Sequence, residues 1–227
     1  MNDEERTPLL KNQSDVSHIP AQETFLWMIF HWSGFFVGGS TFVVGSTLYF
    51  FPDLMYSAEI SATLYTIGSI GFLSVDVIEF FTFTEIQIIR INIACSMIGS
   101  TLYVIGSIGF FPAVYNVTDT IGIWGFILGS FFIGSSQLWK THRIGTDKDG
   151  SFSFANLLKD NDNFTQVGVE LNAGIGAWCF FFGTVMYLHG PLEGSFYAAI
   201  ISIWIAGSCF FLAGSLFLGY RHWVMRV

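Results

Sequence analysis

Six apolar runs, separated by shorter polar segments, organise this chain: Phe25–Phe51, Ile60–Phe81, Ile91–Phe111, Thr120–Leu138, Gly168–Leu188 and Phe196–Leu218. Wound as helix, a run of about 20 residues rises ~30 Å, the thickness of a bilayer's hydrocarbon core. In lipid the backbone must satisfy its own hydrogen bonds, which helices do within one segment. A membrane barrel would alternate apolar and polar positions with period two, and these runs do not. The pattern predicts an all-α polytopic integral membrane protein with six transmembrane helices.

Composition agrees. Of 227 residues, 52% are apolar and 11% charged, with 26 Phe and 24 Gly, a balance that does not suit a soluble domain. Cys95, Cys179 and Cys209 fall inside the runs, so no disulfide framework is expected. The net charge of −8 argues against nucleic acid as a partner. No zinc-ligand spacing, nucleophile elbow or nucleotide-binding loop occurs, so neither an enzyme nor a cofactor or metal site is expected. The first residues carry Asp3, Glu4 and Glu5 in place of a basic stretch before a short apolar one, so the first run is expected to be retained as a signal anchor.

The basic residues change the picture from spans to orientation. Arg6 and Lys11 precede the first run, Arg90 lies between the second and third, and Lys140, Arg143, Lys148 and Lys159 lie between the fourth and fifth. Arg221 and Arg226 follow the sixth, while the opposite connections, Pro52–Glu59, Pro112–Asp119 and His189–Ser195, hold no Lys or Arg. Basic residues resist translocation, so both termini are expected on the cytosolic side. The sequon Asn116-Val117-Thr118 then lies on the lumenal side, in a loop close to the membrane. Asn12-Gln13-Ser14 and Asn163-Phe164-Thr165 are cytosolic and silent.

The tail contains Glu5-Arg6-Thr7-Pro8-Leu9-Leu10. It resembles the acidic dileucine signal that clathrin adaptors read when sorting to endosomes and lysosomes. Such a reader needs an extended cytosolic peptide with a carboxylate and two adjacent aliphatic side chains, and Pro8 favours extended backbone before the pair. Glu5, Leu9 and Leu10 are therefore the expected sorting residues, and the expected membrane is endosomal, lysosomal or vacuolar.

The chain also repeats. A shift of 61 positions carries Gly38, Val43, Gly45 and Ser46 onto Gly99, Val104, Gly106 and Ser107, and Gly68-Ser69 onto Gly129-Ser130. Gly176 and Gly183 keep the same seven-residue spacing in a third unit, and each unit turns near a proline, Pro52, Pro112 or Pro191. Three helical hairpins is the natural reading. The pairs Gly38/Gly45, Gly99/Gly106, Gly122/Gly129, Gly176/Gly183 and Gly207/Gly214, with Ser61/Gly68 in the second run, each occupy one helix face. Small residues there let helices approach closely, so these glycines are expected at packing seams.

Gly38-Gly39-Ser40-Thr41-Phe42-Val43-Val44-Gly45-Ser46, the Phe-Phe-Pro ending, and Leu64-Tyr65-Thr66-Ile67-Gly68-Ser69 resemble the YrhK-like domain family, a small two-helix membrane module with a Gly-Ser pair in each helix. The resemblance covers Trp27–Phe81 best, extends to the second hairpin and weakens in the third. It implies a hairpin module without established activity and supplies no catalytic residue.

The expected organisation is a tail over 1–24, hairpins over 25–83, 86–139 and 168–220, a cytosolic loop over 140–167 and a second tail over 221–227. Expected partners are the lipid bilayer, a clathrin adaptor at the tail and, in a homo-oligomer, a second copy of the chain.

Asp76 and Glu79 are the prominent polar residues, three apart on one face of the second run. An intramembrane carboxylate is costly and defaults to a functional hypothesis, here a proton or cation site of a small transporter or channel. Asp76 corresponds to Gln137 and Ser215 in the other hairpins, and His31, Asn92 and Asn172 stand at similar depth. Copies two and three lack a carboxylate there. The preferred expectation is therefore an interfacial polar belt, with the two carboxylates bonded to neighbouring Ser or paired with Arg90, in a protein of structural or interaction role.

In the 140–167 loop, Asp147-Lys148-Asp149-Gly150-Ser151-Phe152 has part of a calcium-loop pattern. Gly145 and Asn156 occupy its first and twelfth positions where carboxylates are needed, so a polar turn is expected. Phe152, Phe154, Leu157 and Leu158 are expected on the membrane surface, and Trp27, Trp32, Trp139 and Trp223 in an interfacial belt.

Overall fold

A computed structural model describes residues 24–83, 87–147 and 149–225 of the chain. Glu5, Leu9 and Leu10 lie outside the described residues. Six described helices are long and apolar enough to cross a membrane. They are α1 (Phe25–Leu48), α2 (Ser57–Thr82), α3 (Gln87–Gly109), α4 (Thr120–Ile144), α5 (Asn161–His189) and α6 (Gly194–Tyr220), the last continued by a π-helical turn, Arg221–Met225. Pro112–Tyr115 and Phe154–Leu157 add single helical turns. The protein is an all-α polytopic membrane protein.

Two helices run furthest past their apolar runs. α4 continues past Leu138 to Ile144, and α5 begins at Asn161, where the Asp160 carboxylate accepts from the Asn163 amide at 2.8 Å. The expected loop over 140–167 thus shortens to 145–160. Its tip is a tight turn: Thr146 bridges Phe152, and Gly150 takes φ +83. Asp149 accepts from the Ser151 amide at 3.0 Å and hydroxyl at 2.8 Å, which holds this exposed carboxyl below the usual carboxylate range. Leu157 is buried, Phe152 stacks on His142, and Phe154 and Leu158 stand exposed.

The helices close into a ring. Each packs on its neighbours in sequence, and α1 packs against α6. Arg90, Lys140, Arg143, Lys159 and Arg221 gather at one end, the basic end, and the three short turns at the other. Polarity is inverted relative to a soluble bundle. On α3, Ile88, Ile91, Ile98, Ile105 and Ile108 are exposed, while Asn92, Ser96, Gly99, Ser100, Tyr103, Gly106 and Ser107 are buried. Lipid tails solvate the isoleucines as well as a core would, so burial is left to small and hydrogen-bonding residues.

The glycines do lie at seams. A Cβ on Gly99 would stand 2.8 Å from the Gly129 carbonyl, and one on Gly129 would stand 2.9 Å from the Gly99 carbonyl. Gly176 and Gly207 face each other in the same way, at 2.8 Å both ways. Gly38 seats Phe72, Gly45 lies against Tyr65, and Gly68 faces Thr41 and Phe42. Gly106 seats Phe126, Gly122 meets Gly109, and Gly183 seats Trp204. All these contacts join consecutive helices. Gly214 differs, facing Phe35 of α1 and Val169 of α5.

Aromatic rings fill the middle of the ring. Phe42, fully buried, has ring centroids within 4.8 Å of Tyr65, 5.8 Å of Tyr103, 6.2 Å of Phe126, 5.4 Å of Phe180 and 6.0 Å of Phe211, one from each other helix. Buried hydroxyls tie this layer together. Ser46 bonds Tyr65 Oη at 2.8 Å and Ser208 at 2.9 Å, Ser69 bonds Ser107 at 3.0 Å, and Tyr103 Oη bonds Ser130 at 2.8 Å. The Trp204 indole donates to Thr184 at 3.2 Å.

Candidate functional site

On the basic side of the aromatic layer lie two polar tiers. Their spacing follows from helix geometry. Asp76 and Glu79 are three apart on α2, and Gln137 and Lys140 three apart on α4, so each pair shares a face and is separated by about 4.5 Å along its axis.

The deeper tier holds Asp76 and Gln137. Asp76 is 6% exposed and accepts a hydrogen bond from the Ser100 hydroxyl of α3. Gln137 is equally buried, and its Oε1 has no hydrogen-bond partner. Both line a cavity of about 20 Å³ with Ser96 and Ser100. Phe35, Phe72, Val75, Ile133, Ala173 and Phe211 complete the wall, so every helix contributes. That volume accommodates about one water-sized occupant.

The outer tier is ionic. Glu79 Oε2 lies 3.2 Å from Lys140 Nζ, and Glu79 Oε1 lies 3.0 Å from His31 Nε2. Lys140 also stands 3.6 Å from Glu170 of α5. His31 Nδ1 meets His222 Nε2 at 3.0 Å, which joins α1 to the turn after α6. Trp27 stacks on His31 at 4.4 Å and donates its indole N–H to Thr82 at 3.0 Å. Burying a carboxylate is expensive unless it is paired and hydrogen-bonded. Glu79 meets that condition through Lys140 and His31.

These contacts sort the expected site residues. Asp76 does bond a neighbouring Ser. Glu79 does not pair with Arg90, whose guanidinium instead lies over the Phe80 ring, 4.8 Å from its centroid. Lys140 takes its place because α4 runs on past the expected end of its span and delivers the ammonium to the same face as Gln137. Of the other polar residues at this depth, His31 joins the ionic tier, Asn92 bonds the Ser136 carbonyl at 3.1 Å, and Asn172 bonds the Gly168 carbonyl one turn back at 2.6 Å. Ser215 donates to the Leu212 carbonyl at 2.6 Å. Among the described residues no cluster of three His, Cys, Asp or Glu is arranged to hold a metal.

Sequence reasoning missed Lys140, Glu170 and His222 as site members, and Ser96 and Ser100 with them. One signal was present: the 61-residue shift that carries Asp76 onto Gln137 also carries Glu79 onto Lys140.

A family model described as YrhK-like protein matches residues 90–136, from the first turn of α3 through most of α4. The match is a single copy on the second helix pair, whereas the resemblance was expected to be strongest over Trp27–Phe81. It includes Ser96 and Ser100, ends one residue before Gln137, and contains neither Asp76 nor Glu79. No curated protein and no solved structure matches the chain.

Proposed function

We propose that this is a multi-pass membrane protein with a structural or interaction role in an endosomal, lysosomal or vacuolar membrane, built from three related helix pairs with the basic end in the cytosol. One observation carries the structural reading. The middle of the ring is filled by Phe42, Tyr65, Tyr103, Phe126, Phe180 and Phe211, all buried and in ring-to-ring contact, one from each helix.

Equivalent positions support the three-copy reading. Shifts of 61 and then 77 residues relate Phe35, Ser96 and Ala173 on the odd-numbered helices, and all three line the cavity. Shifts of 61 and then 78 relate Phe72, Ile133 and Phe211 on the even-numbered helices, which line it too. The same shifts relate Ser46, Ser107 and Thr184, and Ser69, Ser130 and Ser208, all fully buried. Three pairs around one axis account for this register, and hydrogen bonds from Ser46 to Ser208 and from Ser69 to Ser107 join different pairs. The one-sided Lys and Arg support the orientation, and the Glu5/Leu9/Leu10 tail supports the address, with a clathrin adaptor as its reader.

A second reading, transport of protons or cations, is favoured by the cavity that ends on Asp76. Reconstitution into liposomes separates the two. The expected result is no ion accumulation above protein-free vesicles across a panel of protons, sodium, potassium and calcium. A flux that disappears in Asp76→Asn would overturn the structural reading.

A further inference from the structure

We propose that the cavity between Asp76, Ser96, Ser100 and Gln137 is a binding site for one small, dehydrated monovalent cation, with sodium as its probe. The inference deepens the second reading above but claims binding, not passage.

Three observations carry it. First, two residues that line the same cavity bring buried acceptors: the Asp76 carboxylate and Gln137, whose Oε1 is buried and has no hydrogen-bond partner. Acceptors cannot satisfy each other, so something carrying positive charge or a proton belongs between them. Second, Asp76 has no direct ion-pair partner among the described residues. Lys140 is held between Glu79 at 3.2 Å and Glu170 at 3.6 Å. A neutral water would bond both acceptors yet leave an ionised Asp76 without a counter-charge in the middle of the bundle. Third, the donor set is all oxygen, from a carboxylate, two hydroxyls and an amide, with a single formal charge. Hard cations take such ligands. Calcium wants six to eight oxygens, usually with several carboxylates, and magnesium keeps its waters. A cavity of about 20 Å³ provides for neither.

The surroundings fit a bound ion. Phe35, Phe72 and Phe211 wall the site toward the aromatic layer, so exchange with solution is expected from the basic end, past the Glu79–Lys140 pair one turn away. Ser100 donates to Asp76, which orients the carboxylate and leaves the hydroxyl lone pairs for the ion.

The test uses the full chain in nanodiscs. Equilibrium binding of radioactive sodium is measured against an N-methylglucamine chloride background at constant ionic strength, with thermal melting in the same salts. Expected are saturable binding of about one ion per chain, displacement by lithium but not by calcium, and a Tm raised by sodium. Asp76→Asn should abolish binding, and Gln137→Leu and Ser100→Ala should weaken it by about tenfold or more. Thr101→Ala, at a neighbouring position directed outward, should bind as the parent does. The wild-type stoichiometry and competition need no variant, so they stand even if Asp76→Asn fails to fold. No saturable sodium, equal displacement by calcium, stabilisation by acid alone, or full binding by Asp76→Asn would each overturn the site. Binding without flux upholds the site and discards the transport reading.

Discussion

Glu79 and Lys140 form an ion pair 3.2 Å long although α2 and α4 are not adjacent in the ring. The pair crosses the interior, and each partner is at most 15% exposed. Lys140 also serves Glu170, so the ammonium answers two carboxylates from two helices. The arrangement ties α2, α4 and α5 together at the basic end.

Removing the ammonium should therefore cost more than removing the whole pair. Lys140→Met leaves two buried carboxylates short of a partner, and a loss of about 3–5 kcal/mol is expected. Adding Glu79→Gln removes one of the orphaned charges, so the double variant should recover part of the loss. Chemical unfolding in mixed micelles measures both. Strict additivity of the two substitutions would mean that the pair is not coupled.

Phe42 offers the second prediction. It touches a ring from every other helix, and Phe42→Ala should leave a cavity costing about 3–5 kcal/mol. Phe42→Leu should cost less, because much of the volume stays filled. If both behave like the parent in thermal melts, the aromatic layer does not hold the ring together.

Asp76 and Glu79 stood out in the sequence because a carboxylate in an apolar run has no cheap explanation. Lys140 did not, because it sits among basic residues whose obvious role is orientation, and only the helix running on to Ile144 turns it inward. Glu170 and His222 were hidden for a related reason, since Glu170 stands at the start of the expected span Gly168–Leu188 and His222 just past the end of α6, where polar residues are ordinary. Phe42 was illegible among 26 phenylalanines, for composition marks a membrane helix without marking its centre. The glycines were legible as seams because lipid leaves close approach as a main source of helix association. Their partners were not, since a seven-residue spacing defines a face and not what it meets.

The proposed address makes a cellular prediction. A tagged chain carrying Leu9→Ala and Leu10→Ala should move from endosomal or lysosomal membranes to the plasma membrane, and Glu5→Ala should shift it in the same direction. An adaptor reads the carboxylate and the aliphatic pair together, so losing either weakens sorting. Fluorescence microscopy against compartment markers decides the matter, and an unchanged distribution of the double variant would remove the signal from consideration.

The glycine seams predict opposite signs for one chemical change. Alanine is the better helix former by roughly 1 kcal/mol, so Gly→Ala should stabilise wherever there is room. At Gly45 the nearest atoms to an added Cβ are the Ser61 carbonyl and the Tyr65 ring, each 3.4 Å away, an ordinary contact. Gly45→Ala should be neutral or mildly stabilising. At Gly99 the added carbon meets Ile133 Cγ1 at 2.6 Å, the Gly129 carbonyl at 2.8 Å and the Ile133 amide at 2.9 Å. Two of those atoms are backbone and cannot rotate away, so α3 and α4 must separate, at a cost of about 1–3 kcal/mol. Both glycines belong to seven-residue pairs of the same pattern, so the spacing alone does not rank them. Unfolding midpoints in mixed micelles should separate them, with Gly99→Ala lowered and Gly45→Ala held or raised. Equal midpoints would mean that the α3–α4 seam is looser than the carbonyl contact requires.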